Sequence, residues 1–594
     1  MSPNSQEAQA QGEYTKDGSM DLKGNPILRS KSGGWTACSF IIVFEAFERM
    51  AYFGIASSLV IYLTTKLHQG TVASANNVTN WIGTLFLTPI LGAYVADTHL
   101  SRYWTFIISS IIYLSGMCLL TLAVSLPSLK PPPCGANTSD SNCNEKATSL
   151  QIGVFFTALY ILAIGTGGVK TSISTMGADQ FDEFDPKERA HKVSFFNWWS
   201  FSIFIGALFA TTILVYVQEN VGWTLGYALP TLGLFISSII FVIGTPFYRH
   251  KLPSGSPFSK MAKVLVATLR KWRIELPDDH KELHELGLEQ YYNTNGNFRI
   301  EHTPTLRILD KAAVKSGPTS PWILCTVTQV EETKQLLRMM PILVTTFIPS
   351  TVMAQVNTLF IKQGTTLDRN IGPHFKIPPA CLPTFLNISM LISIVIYDRC
   401  FVPFIKRWTK NPRGITLLQR FGVGMIFHII LMTIASVTEN QRLRTVKDHG
   451  LEGGGEVPLS IFILIPQFVL IGMADALLWV AMTEFFYDQA PETMKSLGTS
   501  FSFTSLGVGN FLSSYLLSTM SHVTKKNGHE GWILNNLNAS HLDYYYAFFA
   551  ILNLLNLCFF IILSRFYVYK VENAEQMDGL HAEIDEPKIE EQRA

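Results

Sequence analysis

Residues 38–64 read CSFIIVFEAFERMAYFGIASSLVIYLT, an apolar stretch long enough to cross a bilayer as one helix. Its first half carries Glu45, Glu48 and Arg49, called here the first-helix cluster. Because Glu45 is three residues from Glu48 and four from Arg49, all three share one helical face. A charge in a membrane helix costs about 3 kcal/mol on insertion scales, so such charges usually serve function. The stretch therefore predicts a spanning helix that can bind a proton; the alternative is an ion pair that only fixes helix packing.

Eleven more apolar stretches follow along the chain. The twelve predicted spans are 38–64, 78–97, 103–126, 151–171, 194–217, 222–246, 335–362, 379–405, 415–438, 458–487, 496–520 and 543–568. Six precede a polar stretch of the chain and six follow it, which indicates two bundles related by an axis along the membrane normal. The sequence thus predicts an all-α membrane protein with the major facilitator fold, with twelve transmembrane helices in two six-helix bundles.

The composition agrees with a membrane protein. The 594 residues are 48% hydrophobic and 15% charged, whereas soluble domains carry about 25% charged residues. The net charge of +1 leaves no basic footprint, so we expect the lipid bilayer and no nucleic acid as a partner. The sequence has no clustered metal ligands, phosphate-binding loop or nucleophile elbow. We therefore expect no enzyme activity, no cofactor and no metal site.

Lysines and arginines in the loops predict the orientation in the membrane. The N-terminal tail, the central stretch and the loop after the eighth span are basic, and an even number of spans places them all, with both termini, in the cytoplasm. The predicted segments are a cytoplasmic tail (1–36), a first bundle (37–246), a cytoplasmic linker (247–334), a second bundle (335–569) and a second cytoplasmic tail (570–594). Neither tail contains a decisive targeting signal, so the plasma membrane and the vacuolar membrane both stay open.

The linker contains a predicted amphipathic helix. Residues 256–273 place apolar side chains on one helical face and basic side chains elsewhere. Such a helix either lies along the membrane surface or packs under the bundles, and both interpretations stay open.

Two loops on the non-cytoplasmic side carry candidate modification sites. Asn137 and Asn538 each begin an Asn-x-Ser sequence, the acceptor of N-glycosylation. Cys134 and Cys143 share one polar loop and form a disulfide if that loop faces an oxidising compartment.

Two further charges lie inside predicted spans. Lys170 ends the stretch GTGGVK (165–170), whose glycines permit close helix approach, so its ammonium can reach the surplus carboxylate of the first-helix cluster. A lysine that snorkels to the helix end is the alternative. Asp475 lies near the middle of the tenth span without a local cation. It is either protonated or faces a polar cavity that receives a substrate cation.

Six motifs in order resemble the plant nitrate transporter 1/peptide transporter family, part of the proton-coupled oligopeptide transporter group of the major facilitator superfamily. They are ExxER at 45–49, GTGGVK at 165–170, GADQFD at 177–182, LDKAA at 309–313, VEE at 330–332 and FYDQAP at 486–491. The resemblance covers about residues 30–570 and implies the major facilitator fold and proton-coupled uptake. By position, the first-helix cluster and Lys170 resemble the family's proton-coupling residues.

The same resemblance implies candidate substrate contacts at Tyr52, Met353, Gln355 and Asp475. Asp475 stands where the family usually has a glutamate. Met353 stands where a nitrate-transporting relative has a nitrate-binding histidine, and methionine cannot donate a hydrogen bond to nitrate. Thr105 stands where that relative carries a regulatory phosphorylated threonine, so a kinase acting on Thr105 is an expected partner.

The sequence therefore predicts a proton-coupled symporter of small solutes, with di- and tripeptides placed narrowly ahead of nitrate. Phe204 replaces an asparagine that helps to hold peptides in related transporters, which weakens the peptide assignment. Hormones and glucosides, which plant relatives also move, stay open as substrates. A substrate sensor without useful flux is the alternative of a different class.

Overall fold

The computed structural model describes the chain between residues 14 and 569, with gaps. The described residues are 14–15, 19–132, 147–182, 185–251, 255, 257–277, 279–287, 299–316, 320–409, 414–491, 494–525 and 531–569. In chain order their α-helices are α1 (Gly34–Thr65), α2 (Thr71–Thr98), α3 (Arg102–Ser125), α4 (Ser149–Ala178), α5 (Pro186–Phe209), α6 (Trp223–Ile243), α7 (Pro257–Arg270), α8 (Val327–Val356), α9 (Leu359–Gly364), α10 (Pro383–Ile396), α11 (Val402–Thr409), α12 (Leu417–Asp448), α13 (Ile465–Gln489), α14 (Lys495–Thr524) and α15 (Leu542–Phe566).

Twelve long helical rods arise from these elements within the described residues. Helix α5 continues through π-helical turns to Val221, α9 extends α8, and α10 continues through a π-helical turn into α11. Ten of the rods are long and apolar enough to cross a membrane by length and composition. The other two are α1, which carries the first-helix cluster, and α14, which is rich in serine, threonine and glycine. Each predicted span coincides with one rod, which confirms the predicted helix count.

Capping boxes define where three of the rods begin. Thr148, Thr326 and Thr416 precede α4, α8 and α12, and each is followed three residues later by a glutamine. The threonine hydroxyl accepts from the glutamine backbone N–H, while the glutamine side chain accepts from the threonine N–H. Each box therefore satisfies two of the backbone donors that a helix leaves free at its first turn.

Helix α12 runs ten residues past the predicted span 415–438, to Asp448. The reason is a buried ion pair, since Arg442 Nη2 and Nε lie 2.7 and 2.8 Å from the two carboxylate oxygens of Glu439. Both side chains are fully buried. A bidentate pair of this kind satisfies its own charges, so the helix continues through a stretch that hydropathy alone treats as its end.

The rods pack as two bundles, α1–α6 and α8–α15, that meet along α2 and α14. Two glycines allow the backbones to approach closely at this seam. A Cβ on Gly83 would lie 3.1 Å from the Gly507 carbonyl oxygen, and a Cβ on Gly507 would lie 3.2 Å from the Gly83 carbonyl oxygen. Small residues serve membrane helices in this way because the approach depends on van der Waals packing.

At one face of the molecule, called the hairpin face, short strands lie in the connections that follow α9 and α12. Strands β1 (Leu367–Asp368) and β4 (Val457–Ser460) pair in parallel, and β2 (Asn370–Ile371) and β3 (Phe375–Lys376) form a hairpin. Arg369 Nη1, beside the hairpin, lies 3.5 Å from Glu219 Oε2 at the end of α5. Phe375 stacks on Tyr216 of the same rod, with ring centres 5.6 Å apart. The two bundles are therefore in contact at the hairpin face.

The linker folds on the opposite face, called the linker face. Helix α7 packs Val264 and Ala267 into a small apolar core with Leu309 and Ala312. Burial lowers the pKa of Lys271, whose ammonium donates to the Val314 carbonyl at 2.6 Å. Of the two arrangements that the sequence left open for this amphipathic helix, the structure therefore has the packed one.

The residues before α1 are tied to the GADQFD motif at the linker face. Arg29 binds Asp182 and Asp185 at 2.8 and 2.9 Å. The fully buried Gln180 accepts from the Arg249 N–H and donates back to the Arg249 carbonyl. Arg249 in turn donates to the Ser32 carbonyl at 2.8 Å. The motif therefore joins the tail to the ends of α4 and α6.

Candidate functional site

The first-helix cluster lies in the interior of the first bundle. Arg49 Nε is 2.8 Å from Glu45 Oε1 and 2.8 Å from Glu48 Oε2. Both glutamates are fully buried, and no described residue donates a hydrogen bond to Glu45 Oε2. One guanidinium therefore faces two carboxylates, which leaves one surplus negative charge beside oxygens that can accept a proton.

Lys170 of α4 lies near the cluster but is not in contact with its carboxylates. Its Nζ is 4.7 Å from the ring centre of Tyr52 and 4.7 Å from that of Phe86. Glu45 and Glu48 act on it only over a longer distance, and within the described chain no carboxylate forms an ion pair with it. In this conformation two aromatic faces hold the ammonium instead of the predicted partner.

The glycines of GTGGVK allow α4 to bring Lys170 this far inward. A Cβ on Gly167 would lie 2.7 Å from the Thr88 carbonyl oxygen of α2, and a Cβ on Gly165 would overlap the backbone of Tyr113 in α3. Larger residues would therefore push α4 away from both neighbours. The predicted close approach of α4 is confirmed.

An aromatic chain continues from Lys170 into the second bundle. Phe86 of α2 stacks on Phe503 of α14, with ring centres 6.4 Å apart and an interplanar angle of 17°. Phe503 meets Trp479 of α13 edge to face at 6.1 Å. Trp479 lies one helical turn after Asp475, so this chain of aromatic rings links Lys170 to the helix that carries Asp475.

Asp475 is buried in α13, with 5% of its surface exposed. No described residue forms an ion pair or a hydrogen bond with it. A buried carboxylate without a partner is costly unless it is protonated or meets a ligand. This geometry suits a group that receives a cation from outside the protein.

The other two candidates of the second bundle differ in their surroundings. Gln355 is 1% exposed, and its Nε2 donates to Ser513 Oγ of α14 at 3.1 Å. Met353 packs against the apolar core of the second bundle and stays partly exposed. A separation of two residues turns these side chains to different sides of α8, so they do not share one lining.

Thr105 is buried in α3, with 3% of its surface exposed. A Cβ on Gly168 of α4 would lie 3.2 Å from Thr105 Cγ2. A kinase cannot reach the hydroxyl while α3 and α4 are packed in this way. Phosphorylation there stays a prediction that requires the two helices to separate.

One predicted modification site, Asn538, lies in the described part of the chain, at the hairpin face. Cys134, Cys143 and Asn137 lie outside the described residues. Asn538 is 5% exposed, its Oδ1 accepts from Arg442 at 2.7 Å, and its Nδ2 donates to two backbone carbonyls. The folded chain does not present this amide, so a glycan could be added there only before the loop folds.

A second ionic cluster, called the linker cluster, joins the linker to α8. It consists of His302, Asp310, Glu331 and Lys334, and the first three could together ligate a metal ion. The Lys334 ammonium lies between the carboxylates, 2.6 Å from Asp310 and 2.7 Å from Glu331. A protein cation therefore occupies the position that a metal ion would take.

The POT family model, PTR2, matches residues 103–533. The chain belongs to the POT family. Protein NRT1/ PTR FAMILY 5.2 of Arabidopsis thaliana is 63% identical over 577 residues, covering 97% of this chain and 98% of the relative. Protein NRT1/ PTR FAMILY 5.3 of the same plant is 61% identical, covering 97% and 98%. The chain is therefore a multi-pass membrane transporter of this family, and the predicted family is confirmed.

Solved POT structures share the fold at low sequence identity. The POT family transporter PepTSo matches with a TM-score of 0.64 and 20% identity, covering 89% of this chain and 98% of that one. An auto-inhibited POT family peptide transporter matches with a TM-score of 0.63 and 20% identity, covering 91% and 98%. These likenesses confirm the major facilitator fold.

Sequence reasoning missed the aromatic chain and the linker cluster. Phe86, Phe503 and Trp479 stand in predicted spans, where an aromatic residue looks like any other core residue. Asp310 and Glu331 belong to the motifs LDKAA and VEE. The buried Lys334, three residues after Glu331, was the signal in the sequence that could have pointed to the cluster. Joining them needed the fold of the linker.

Proposed function

We propose that this POT-family transporter is a proton-coupled symporter, with the first-helix cluster and Lys170 as its proton site. The observation that carries the proposal is that Arg49 faces both Glu45 and Glu48 at 2.8 Å inside the first bundle. One carboxylate can gain a proton while the other keeps the arginine paired. Intramembrane carboxylates of this kind mark proton pathways in transporters. The proposal assigns the chain no chemical reaction.

Small peptides are the first candidate substrates. The buried Asp475 without a protein partner suits the amino terminus of a peptide, and the cations of the first bundle suit its carboxyl terminus. The solved POT neighbours described as peptide transporters support this class. The relatives' family name also includes NRT1, so nitrate is the second candidate, followed by hormones and glucosides.

We further propose that the linker face is cytoplasmic, in the plasma membrane or the vacuolar membrane, with lipid around both bundles. The basic character of the tail and linker supports this orientation. Segments 37–246 and 335–569 would then rock against each other, joined by 247–334. A kinase acting on Thr105 would act through a conformation in which α3 leaves α4, because a phosphate cannot fit between them.

Uptake into vesicles that contain the purified full chain tests the proposal. Labelled dialanine and nitrate are offered with and without an inward proton gradient. Wild type should accumulate one of them only with the gradient, and Glu48→Gln should lose accumulation. Asp448→Asn, at the exposed end of α12, is the matched control and should behave as wild type.

Two outcomes would count against symport. Accumulation at the wild-type level by both Glu45→Gln and Glu48→Gln would exclude this cluster as the proton site. Saturable binding of dialanine without flux would favour the sensor alternative.

A further inference from the structure

We infer that Phe86 is a positioning residue of proton coupling, which holds Lys170 away from the first-helix cluster and links its position to the second bundle through Phe503. The inference rests on the proposed function, because it assumes that the cluster and Lys170 couple protons to transport. It adds a residue that neither the motifs nor the charge pattern singles out.

The Lys170 ammonium lies between two aromatic rings. Lys170 Nζ lies 4.7 Å from the ring centres of both Tyr52 and Phe86. Tyr52 belongs to α1, one turn beyond Arg49, whereas Phe86 belongs to α2. A cation between two ring faces is stabilised by both quadrupoles, and the stabilisation grows where water is excluded. Lys170 therefore has a place to rest without a carboxylate.

Charge balance determines where the ammonium lies. The charged groups that act on Lys170 are Arg49, Glu48 and Glu45, all on α1. Two cations and two carboxylates are neutral together, so the lysine is attracted to the cluster while both glutamates are ionised. A proton bound to one carboxylate leaves a net positive charge, and the repulsion from Arg49 then drives the lysine towards the rings. The Lys170 ammonium therefore has two positions, one at the carboxylates of the cluster and one between the two rings.

Phe86 connects this position to the seam between the bundles. Phe86 stacks on Phe503 across the seam, one turn from the close approach of Gly83 and Gly507. When α2 and α14 separate, Phe86 loses that contact and can turn away from the lysine. Lys170 then returns to the carboxylates and displaces the proton. The coupling is reciprocal, since whatever closes the seam also favours proton binding.

The far end of the aromatic chain reaches the helix of the candidate substrate acid. Phe503 contacts Trp479, and Trp479 follows Asp475 by one turn of α13. A substrate bound at Asp475 that presses α13 and α14 together would keep Phe503 against Phe86. Substrate and proton would then stabilise the same closed arrangement, which is the requirement for symport.

Phe86→Leu tests the inference, because it keeps an apolar side chain and removes the ring face. In vesicles, proton-driven accumulation of dialanine should fall by about tenfold, while dialanine counterflow without a gradient is retained. Phe86→Tyr keeps the ring and should stay within about twofold of wild type. Phe501→Leu is the matched control, because Phe501 packs against Phe486 within the second bundle. It should leave the ratio of accumulation to counterflow unchanged.

A second readout needs no substrate. Spin labels at Val221 and Ile371, both exposed at the hairpin face, report the distance between the bundles after the exposed native cysteines are replaced. Acidification should shift the distance distribution in wild type and Phe86→Tyr but not in Phe86→Leu.

The outcomes separate this inference from the proposed function. A proton-coupled wild type with an unaffected Phe86→Leu, or with Phe86→Tyr as impaired as Phe86→Leu, would overturn the inference and leave symport standing. A wild type that neither accumulates dialanine or nitrate with the gradient nor shifts with pH would overturn both.

Discussion

Replacing Lys334 by alanine should loosen the linker from the second bundle. The Lys334 side chain is fully buried, and its Nζ lies 2.6 Å from Asp310 Oδ1 and 2.7 Å from Glu331 Oε1. The same ammonium donates to the Thr303 carbonyl at 3.0 Å. One cation therefore joins two segments of the linker to the first turns of α8.

The magnitude follows from what the substitution leaves behind. Removing one partner of a buried ion pair costs about 3–5 kcal/mol, because the remaining charge has no compensation. Here Asp310 and Glu331, with side chains 3% and 1% exposed, both lose their cation. His302 Nε2, 3.0 Å from Asp310 Oδ2, keeps a hydrogen-bond contact with one of them. We therefore expect a loss of about 4 kcal/mol in the free energy of unfolding. For a chain of 594 residues, this loss corresponds to a Tm lower by about 3 °C.

The assay is thermal unfolding of the detergent-purified full chain, followed by tryptophan fluorescence. Lys311→Ala is the matched control, since the Lys311 ammonium makes an exposed contact with the Trp272 carbonyl at 2.6 Å. Its loss should cost less than about 1 kcal/mol. Lys334→Met combined with Asp310→Asn and Glu331→Gln should recover most of the stability, because no buried charge then lacks a partner. Equal Tm values for Lys334→Ala and Lys311→Ala would refute the reasoning.

Three further predictions concern transport. Lys170→Ala should keep dialanine counterflow but lose proton-driven accumulation by about tenfold or more, since no cation then leaves the cluster on proton binding; wild-type accumulation at matched protein level would reduce Lys170 to a structural residue. Glu219→Arg and Arg369→Glu should each alter uptake by weakening the contact of the bundles at the hairpin face, and the double variant should recover the wild-type rate; failure of that recovery would show that the pair does not act together. Met353→His should raise nitrate uptake by supplying a donor, and unchanged uptake between about pH 5 and about pH 7.5 would contradict this.

Local pattern was sufficient for the rods and for the first-helix cluster. Twelve apolar stretches became twelve rods, because burial of an apolar helix in lipid depends on its own composition. The spacing of Glu45, Glu48 and Arg49 fixed their mutual geometry, since residues of one turn meet whatever surrounds the helix. The predicted end of α12 was wrong because it also relied on local hydropathy. Glu439 and Arg442 lower the hydropathy of this segment, although the two side chains neutralise each other.

Contacts between distant segments were out of reach of local pattern. Lys170 was expected to contact a carboxylate, which its charge favours, but the packing of α1, α2 and α4 places two rings against it first. The stacking of Phe86 on Phe503 joins residues from different bundles. No periodicity within a helix reports which aromatic residue lies at the seam, because ring and aliphatic side chains bury the same kind of surface.

The buried charges of the described chain differ in how completely they are neutralised. Fully neutralised groups stabilise the fold, whereas an incompletely neutralised group is a candidate for function. Glu439 and Arg442 match one to one with bidentate geometry, so each buried charge of this pair is neutralised by the other. Lys334 is shared by two carboxylates with help from a histidine and a carbonyl, which makes a rigid joint at the linker face. In the first-helix cluster, one carboxylate oxygen lacks a hydrogen bond from the described residues while the nearby Lys170 rests on rings. A proton bound by one carboxylate there would leave Arg49 paired with the other, so the incomplete match suits the proposed proton site.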